Sequence, residues 1–107
     1  MSYKRESPEN IQKIIAEKDV NLADVRSSQE RASDGYITGS VLIDLRSPDF
    51  DQKLNALDKD KTLVLYCHAG NRSATAAQKA VDAGFKDVYM IEGGITGWKS
   101  HGLPVEK

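Results

Sequence analysis

Two hydrophobic periods alternate along this chain. Ser7-Pro8 joins a capping hydroxyl to a proline suited to a first helical turn, and Ile11, Ile14 and Ile15 then share one helical face. Residues 20–25 are short and partly apolar, predicting a strand that ends at Asp24-Val25-Arg26. Gly35 and Gly39 punctuate a loop, and Val41-Leu42-Ile43 predicts a second short strand. Ser47-Pro48 repeats the capping signal ahead of Phe50, Leu54 and Leu57 at helical spacing. Leu63-Val64-Leu65-Tyr66 is a continuous apolar run, the kind that a parallel sheet buries on both faces. An alanine-rich segment over residues 73–83 follows, with Ala74, Ala77 and Val81 on one side and Gly84 at the expected stop. Residues 88–91 predict a last strand, followed by Gly93-Gly94 and a helical turn around Trp98. Strands that alternate with helices predict an α/β domain, its small and mainly parallel sheet flanked by helices on both faces. Asp24-Val25-Arg26 and Asp44-Leu45-Arg46 look alike, but their flanks differ, so no internal repeat is read.

A chain of 107 residues suits one domain, expected to span residues 1–107. Hydrophobic residues at 39% and charged residues at 29% fit a globular chain rather than a disordered one. The balance of 15 basic against 16 acidic residues argues against nucleic acid as the main partner. No segment approaches the roughly 20 apolar residues that span a bilayer, so no membrane partner is expected. The N-terminus, Met1-Ser2-Tyr3-Lys4-Arg5-Glu6, is polar and leads into no stretch of signal-peptide character. With Cys67 as the single cysteine, a reducing cytoplasm is the expected compartment.

That cysteine draws attention because ligands of parallel sheets bind beyond the carboxyl ends of the strands. Cys67-His68-Ala69-Gly70-Asn71-Arg72-Ser73 follows the most apolar strand and opens the alanine-rich helix. A helix N-terminus offers unpaired amides and partial positive charge. Gly70 permits backbone conformations in which successive amides turn inward as an anion nest, and Arg72 adds a cation beside it. A thiol placed there is expected to ionise readily. The helix dipole supplies about 0.3–1 kcal/mol, whereas hydrogen bonds to a charged group supply about 1.5–3 kcal/mol. The amides should therefore dominate, making the shape of the loop matter more than any one side chain. A lone cysteine closing a buried strand is otherwise a small hydrophobe; Gly70, Arg72 and the helix start are what turn the reading toward a functional thiolate.

This loop resembles the active-site loop of rhodanese domains, a cysteine with Gly three residues on and Arg five residues on. Leu22-Ala23-Asp24-Val25-Arg26 resembles the family's first-strand signature. Gly84-Phe85-Lys86-Asp87-Val88-Tyr89 resembles the turn and strand after the active-site helix. Glu92-Gly93-Gly94-Ile95-Thr96-Gly97-Trp98 and Gly102-Leu103-Pro104-Val105 resemble its closing segment. One departure is Tyr36 in Gly35-Tyr36-Ile37-Thr38-Gly39, where the family often has His. The resemblance implies a sulfurtransferase in which Cys67 carries sulfur as a persulfide between a small donor anion, such as thiosulfate or a persulfide, and an acceptor such as cyanide, a thiol or a protein. It implies substrate binding by His68, Ala69, Gly70, Asn71, Arg72 and Ser73, with Arg72 holding the anion, and requires no metal or organic cofactor.

Other readings of these residues are weaker. Cys67, His68 and His101 lack the number and spacing of a metal site. Asp24 and Arg26 are expected to form a structural pair, and Trp98 to pack. Gly93, Gly94 and Gly97 have neither the spacing nor the context of a dinucleotide fingerprint. Related cysteine-loop phosphatases and arsenate reductases hold tetrahedral oxyanions; the phosphatases place five residues between Cys and Arg, whereas Cys67 and Arg72 enclose four. A rhodanese-like module that only binds a partner is the third reading, although such modules often lose the cysteine or arginine present here.

Overall fold

The apolar run around Leu63 becomes the centre of the sheet in the computed structural model, which describes residues 2–107; Met1 of the polar N-terminus lies outside them. The elements, in chain order, are β1 (Lys4–Glu6), α1 (Pro8–Glu17), β2 (Val20–Asp24), α2 (Ser28–Asp34), β3 (Val41–Leu42), α3 (Phe50–Asn55), β4 (Thr62–Tyr66), α4 (Asn71–Asp82), β5 (Val88–Ile91) and α5 (Gly94–Ser100). The strands form one five-stranded sheet in the order β1-β5-β4-β2-β3, every pairing parallel. Every residue of β4 is buried, as a strand covered on both faces requires.

Alternation along β4 divides the core into two layers. Leu63, Leu65 and Cys67 point to one side, where Phe50 and Leu54 of α3 and Ala76, Ala77 and Ala80 of α4 pack on them. Val64 and Tyr66 point to the other, meeting Ile11 of α1 and Ile95 and Trp98 of α5. Small alanines let α4 lie close to the sheet. Ile11 and Phe85 are fully buried, and burying one such side chain is worth about 1.5–3 kcal/mol.

The expected α/β architecture is present, with four differences in its elements. The polar edge strand β1 carries no apolar alternation and went unpredicted. So did α2, which buries none of its residues. Ser47 does not cap α3: that helix starts later, at Phe50, after a turn in which the Ser47 hydroxyl bonds the Asp49 carboxylate. The alanine-rich helix also starts two residues earlier than expected, at Asn71, because Gly70 takes the left-handed conformation (φ 113°) that the entry requires.

Candidate functional site

Cys67 follows the last residue of β4 and faces the start of α4, with its side chain almost fully buried. The Gly70 N–H donates to Cys67 Sγ at 2.9 Å. The thiol also lies 3.5 Å from the Ser73 hydroxyl, which itself donates to the Gly70 carbonyl at 3.1 Å. Ser73 is completely buried, so this hydroxyl is confined to the loop interior. No side chain among the described residues caps α4, and its first backbone bond runs from the Ala74 N–H to the Gly70 carbonyl at 3.3 Å. The amides of Asn71, Arg72 and Ser73 are therefore first-turn donors with no intrahelical acceptor, at the positive end of the helix.

The opposite side of the loop is fixed by α5. The Ile95 N–H donates to the Cys67 carbonyl at 2.9 Å, and the Thr96 N–H to the His68 carbonyl at 3.2 Å. These bonds engage the Cys67 and His68 carbonyls on α5, while the Gly70 N–H faces the sulfur. The approach is so close that a Cβ on Gly94 would collide with both carbonyl oxygens, and Gly94 has φ of 60° besides. The sequence places Gly93-Gly94 ahead of a helical turn and in the segment that resembles the family's closing motif, but gives it no contact with the cysteine loop. Its actual work is to dock one helix N-terminus onto the backbone of the cysteine loop.

Arg72, the cation expected beside the loop to help hold a donor anion, has its guanidinium on Glu30 of α2, through Nη1 to Oε1 at 2.5 Å and Nη2 to Oε2 at 2.6 Å. Hydrogen bonds from Arg72 hold the Glu30 carboxyl at about 2, well below its ordinary range. The hydrogen bonds with Glu30 in turn push Arg72 upward. Glu30 was missed, although Ser27 and Glu30 carry the signature of a capping box. The structure has that box: the Glu30 N–H donates to Ser27 Oγ at 3.2 Å, and the Ser27 N–H donates to Glu30 Oε1 at 3.3 Å. A charged, pre-positioned carboxylate is a better partner for a two-pronged guanidinium than an open loop mouth is.

The remaining residues sort clearly. His68 is exposed, with Nδ1 3.9 Å from the Asp34 carboxylate, and does not touch the sulfur. Ala69 and Asn71 are exposed on the loop rim. Asp24 and Arg26 are wholly buried and form the expected pair: Arg26 Nε donates to Oδ1 and Nη2 to Oδ2, each at 2.9 Å. Arg26 Nη2 also donates to the Gly35 carbonyl at 2.6 Å. Tyr36 carries Arg31 over its ring, 4.0 Å from the centroid. Trp98 packs as expected, its Nε1 donating to the Pro104 carbonyl at 2.8 Å. His101 pairs with Glu9 on α1, far from the loop in sequence. Among the described residues, no three His, Cys, Asp or Glu side chains gather where a metal could be held, and no helix is long and apolar enough to cross a membrane.

A buried thiol that accepts a backbone N–H, set between the carboxyl end of a central parallel strand and the first turn of a helix, defines a class of proteins built around a cysteine loop. The chain belongs to the rhodanese-like domain family, whose model matches residues 7–101. It is 37% identical over 100 residues to the thiosulfate sulfurtransferase GlpE of Pseudomonas aeruginosa, covering 92% of this chain and 86% of that protein. The fold is similar to the rhodanese-related protein of Thermoplasma volcanium, with a TM-score of 0.84 and 29% identity over 96% of this chain and 97% of that one. It is also similar to a Rhodopseudomonas palustris protein of unknown function described as a possible tyrosine phosphatase, with a TM-score of 0.76 and 34% identity over 97% and 85% of the two chains.

Proposed function

We propose that this protein is a sulfurtransferase that moves a sulfane sulfur from thiosulfate or a persulfide donor to a thiophilic acceptor through a persulfide on Cys67. One observation carries the reading: the Gly70 N–H donates to Cys67 Sγ at 2.9 Å, within a loop whose Cys67 and His68 carbonyls are drawn off by α5. Amides so arranged favour a negatively charged sulfur. The curated relative from Pseudomonas aeruginosa, a thiosulfate sulfurtransferase, supports the reaction class.

In the first step the Cys67 thiolate attacks the outer sulfur of thiosulfate. The bond between the two sulfurs of the donor breaks, and its electron pair leaves with sulfite. Cys67 is left as a persulfide whose negative outer sulfur sits among the amides of residues 70–73, and the Ser73 hydroxyl reaches it by giving up its bond to the Gly70 carbonyl. In the second step cyanide or a thiolate attacks that outer sulfur, and the Sγ–S electron pair returns to Cys67. Two half-reactions joined by a covalent enzyme form give ping-pong kinetics.

The loop backbone binds the donor, while Arg72 braces the first turn of α4 against α2, and its charge is partly matched by Glu30. The four residues enclosed between Cys67 and Arg72 make a cradle better sized for a sulfur than for a full phosphate, which weighs against phosphatase chemistry. One sheet carrying both core layers supports a single domain over residues 1–107. A single cysteine that works as a thiolate fits action in a reducing cytoplasm.

The test is a steady-state thiosulfate-to-cyanide assay of the wild type and Cys67→Ser. Parallel double-reciprocal lines for the wild type, and no thiocyanate from a variant that still folds, are expected. Activity retained by Cys67→Ser would overturn the proposal.

A further inference from the structure

The cations around the loop are mostly committed. Arg72 is held by Glu30, Arg26 and Arg31 share Asp24, and Lys99 donates to the Asp34 carbonyl at 2.5 Å. Arg5 is different. It lies on the edge strand β1 in register with Met90, and among the described residues its side chain has neither an ion pair nor a hydrogen bond. Its neighbour Lys4 sits over the Tyr89 ring, 5.4 Å from the centroid. Alternation along the strand therefore sends Arg5 to the opposite face, the face of α4.

There Arg5 lines a polar pocket of about 180 Å³ with Ala69, Gly70, Asn71, Glu92 and Gly93. Glu92 is likewise exposed, and its carboxylate has no partner among the described residues. The pocket lies beside the carboxyl end of β5 and the loop that follows β4, the end of the sheet at which parallel sheets receive ligands. It shares a wall with the sulfur site. Gly70 belongs to that wall, and the same residue donates its N–H to Cys67 Sγ at 2.9 Å. The Cβ that Gly70 lacks would stand 3.8 Å from Met90 Cε and 4.0 Å from the Gly93 nitrogen, so this side of Gly70 faces two residues that also line the pocket.

We propose that this pocket seats the sulfur acceptor, and that the acceptor is a small thiol bearing both a carboxylate and an ammonium group: a cysteine-type amino acid or short peptide. The carboxylate would pair with Arg5 and the ammonium with Glu92. A single free cation would favour any anion, donor included; opposite free charges lining one polar pocket select a zwitterion. The inference rests on Cys67 carrying the sulfur. The acceptor thiolate forms a bond to the negatively charged outer sulfur of the Cys67 persulfide, the Sγ–S bond breaks, and its electron pair returns to Cys67 as thiolate. The ligand leaves as a persulfide anion, so atoms and charge balance.

Two measurements test this, one of them independent of catalysis. The first follows the backbone amide signals of Gly70 and Gly93 while S-methylglutathione, which cannot accept sulfur, is added to wild type, Arg5→Gln and Glu92→Gln. Saturable shifts in the wild type, weakened about tenfold in each variant, are expected for loss of one charge-assisted contact. No shift in the wild type, or equal affinity in all three proteins, overturns the pocket whether or not the protein transfers sulfur. The second compares kcat/KM for glutathione with that for 2-mercaptoethanol, at fixed thiosulfate, within each protein. The ratio should fall about tenfold in both variants; an unchanged ratio overturns the assignment. A wild type silent with every acceptor, yet binding S-methylglutathione through Arg5 and Glu92, would sink the sulfurtransferase reading and keep the binding site.

Discussion

Arg72 and Glu30 stand 42 residues apart in sequence and meet through two parallel hydrogen bonds of 2.5 and 2.6 Å. The contact joins the first turn of the helix behind the cysteine to a helix that buries none of its own residues. Helix α2 is thus held by polar links, and this one reaches the candidate site. Arg72→Ala and Glu30→Ala should each lower stability, and the double variant should be scarcely worse than either one. Thermal or urea unfolding of all four proteins should give a coupling of about 1 kcal/mol. Simple additivity would mean that the pair contributes nothing measurable.

The same pair sets a pH dependence. Arg72 depresses the folded-state Glu30 carboxyl from 4.5 to about 2. A depressed carboxyl stabilises the fold fully above its unfolded value and loses that contribution as pH falls through the folded one. The stability gap between wild type and Glu30→Gln should therefore be level at neutral pH. It should shrink as pH drops from 4.5 and close near about 2. A gap that persists unchanged at the acid end would assign the stabilisation to packing.

Asp24 and Arg26 make a sharper case, because neither is exposed. Asp24 accepts from the Arg26 backbone N–H, from Arg26 Nε and Nη2, and from Arg31. Arg26 Nη1 has no hydrogen-bond partner of its own; the guanidinium lies over the Tyr66 ring at 5.6 Å. Asp24→Ala strands a buried cation and should cost about 3–5 kcal/mol of unfolding free energy. A loss below about 1 kcal/mol would show that water reaches the pair.

Gly94 and Gly84 separate collision from backbone strain. Both have positive φ, yet a side chain at Gly84 meets nothing within 4 Å, whereas one at Gly94 meets the Cys67 and His68 carbonyls. Gly84→Ala should cost about 1–2 kcal/mol and leave turnover intact. Gly94→Ala must push α5 off the cysteine loop, and its sulfur-transfer rate should fall at least tenfold, roughly the effect of a displacement near 1 Å. Equal activities would mean that α5 does not shape the cradle.

How much of this was legible in the sequence depends on where each signal resides. The run Leu63-Val64-Leu65-Tyr66 reads as a buried strand by itself, and Cys67 with Gly70 before a helix is a local pattern. Strand β1 and helix α2 are polar segments whose structure comes from neighbours: β1 from pairing with β5, α2 from Ser27, Arg31 and Arg72. The role of Gly94 depends on a backbone contact 27 residues upstream, which no local period encodes. Arg72 was found as a residue, but its partner was not. Charge attraction between distant side chains leaves no periodic trace, and only the spacing of Ser27 and Glu30 hinted at it.

The most direct test of the central claim is the intact mass of the reduced protein after incubation with thiosulfate, run beside Cys67→Ser. The account predicts a gain of one sulfur atom in the wild type, removed by cyanide and absent from the variant. No gain with thiosulfate, and none with glutathione persulfide, would contradict it.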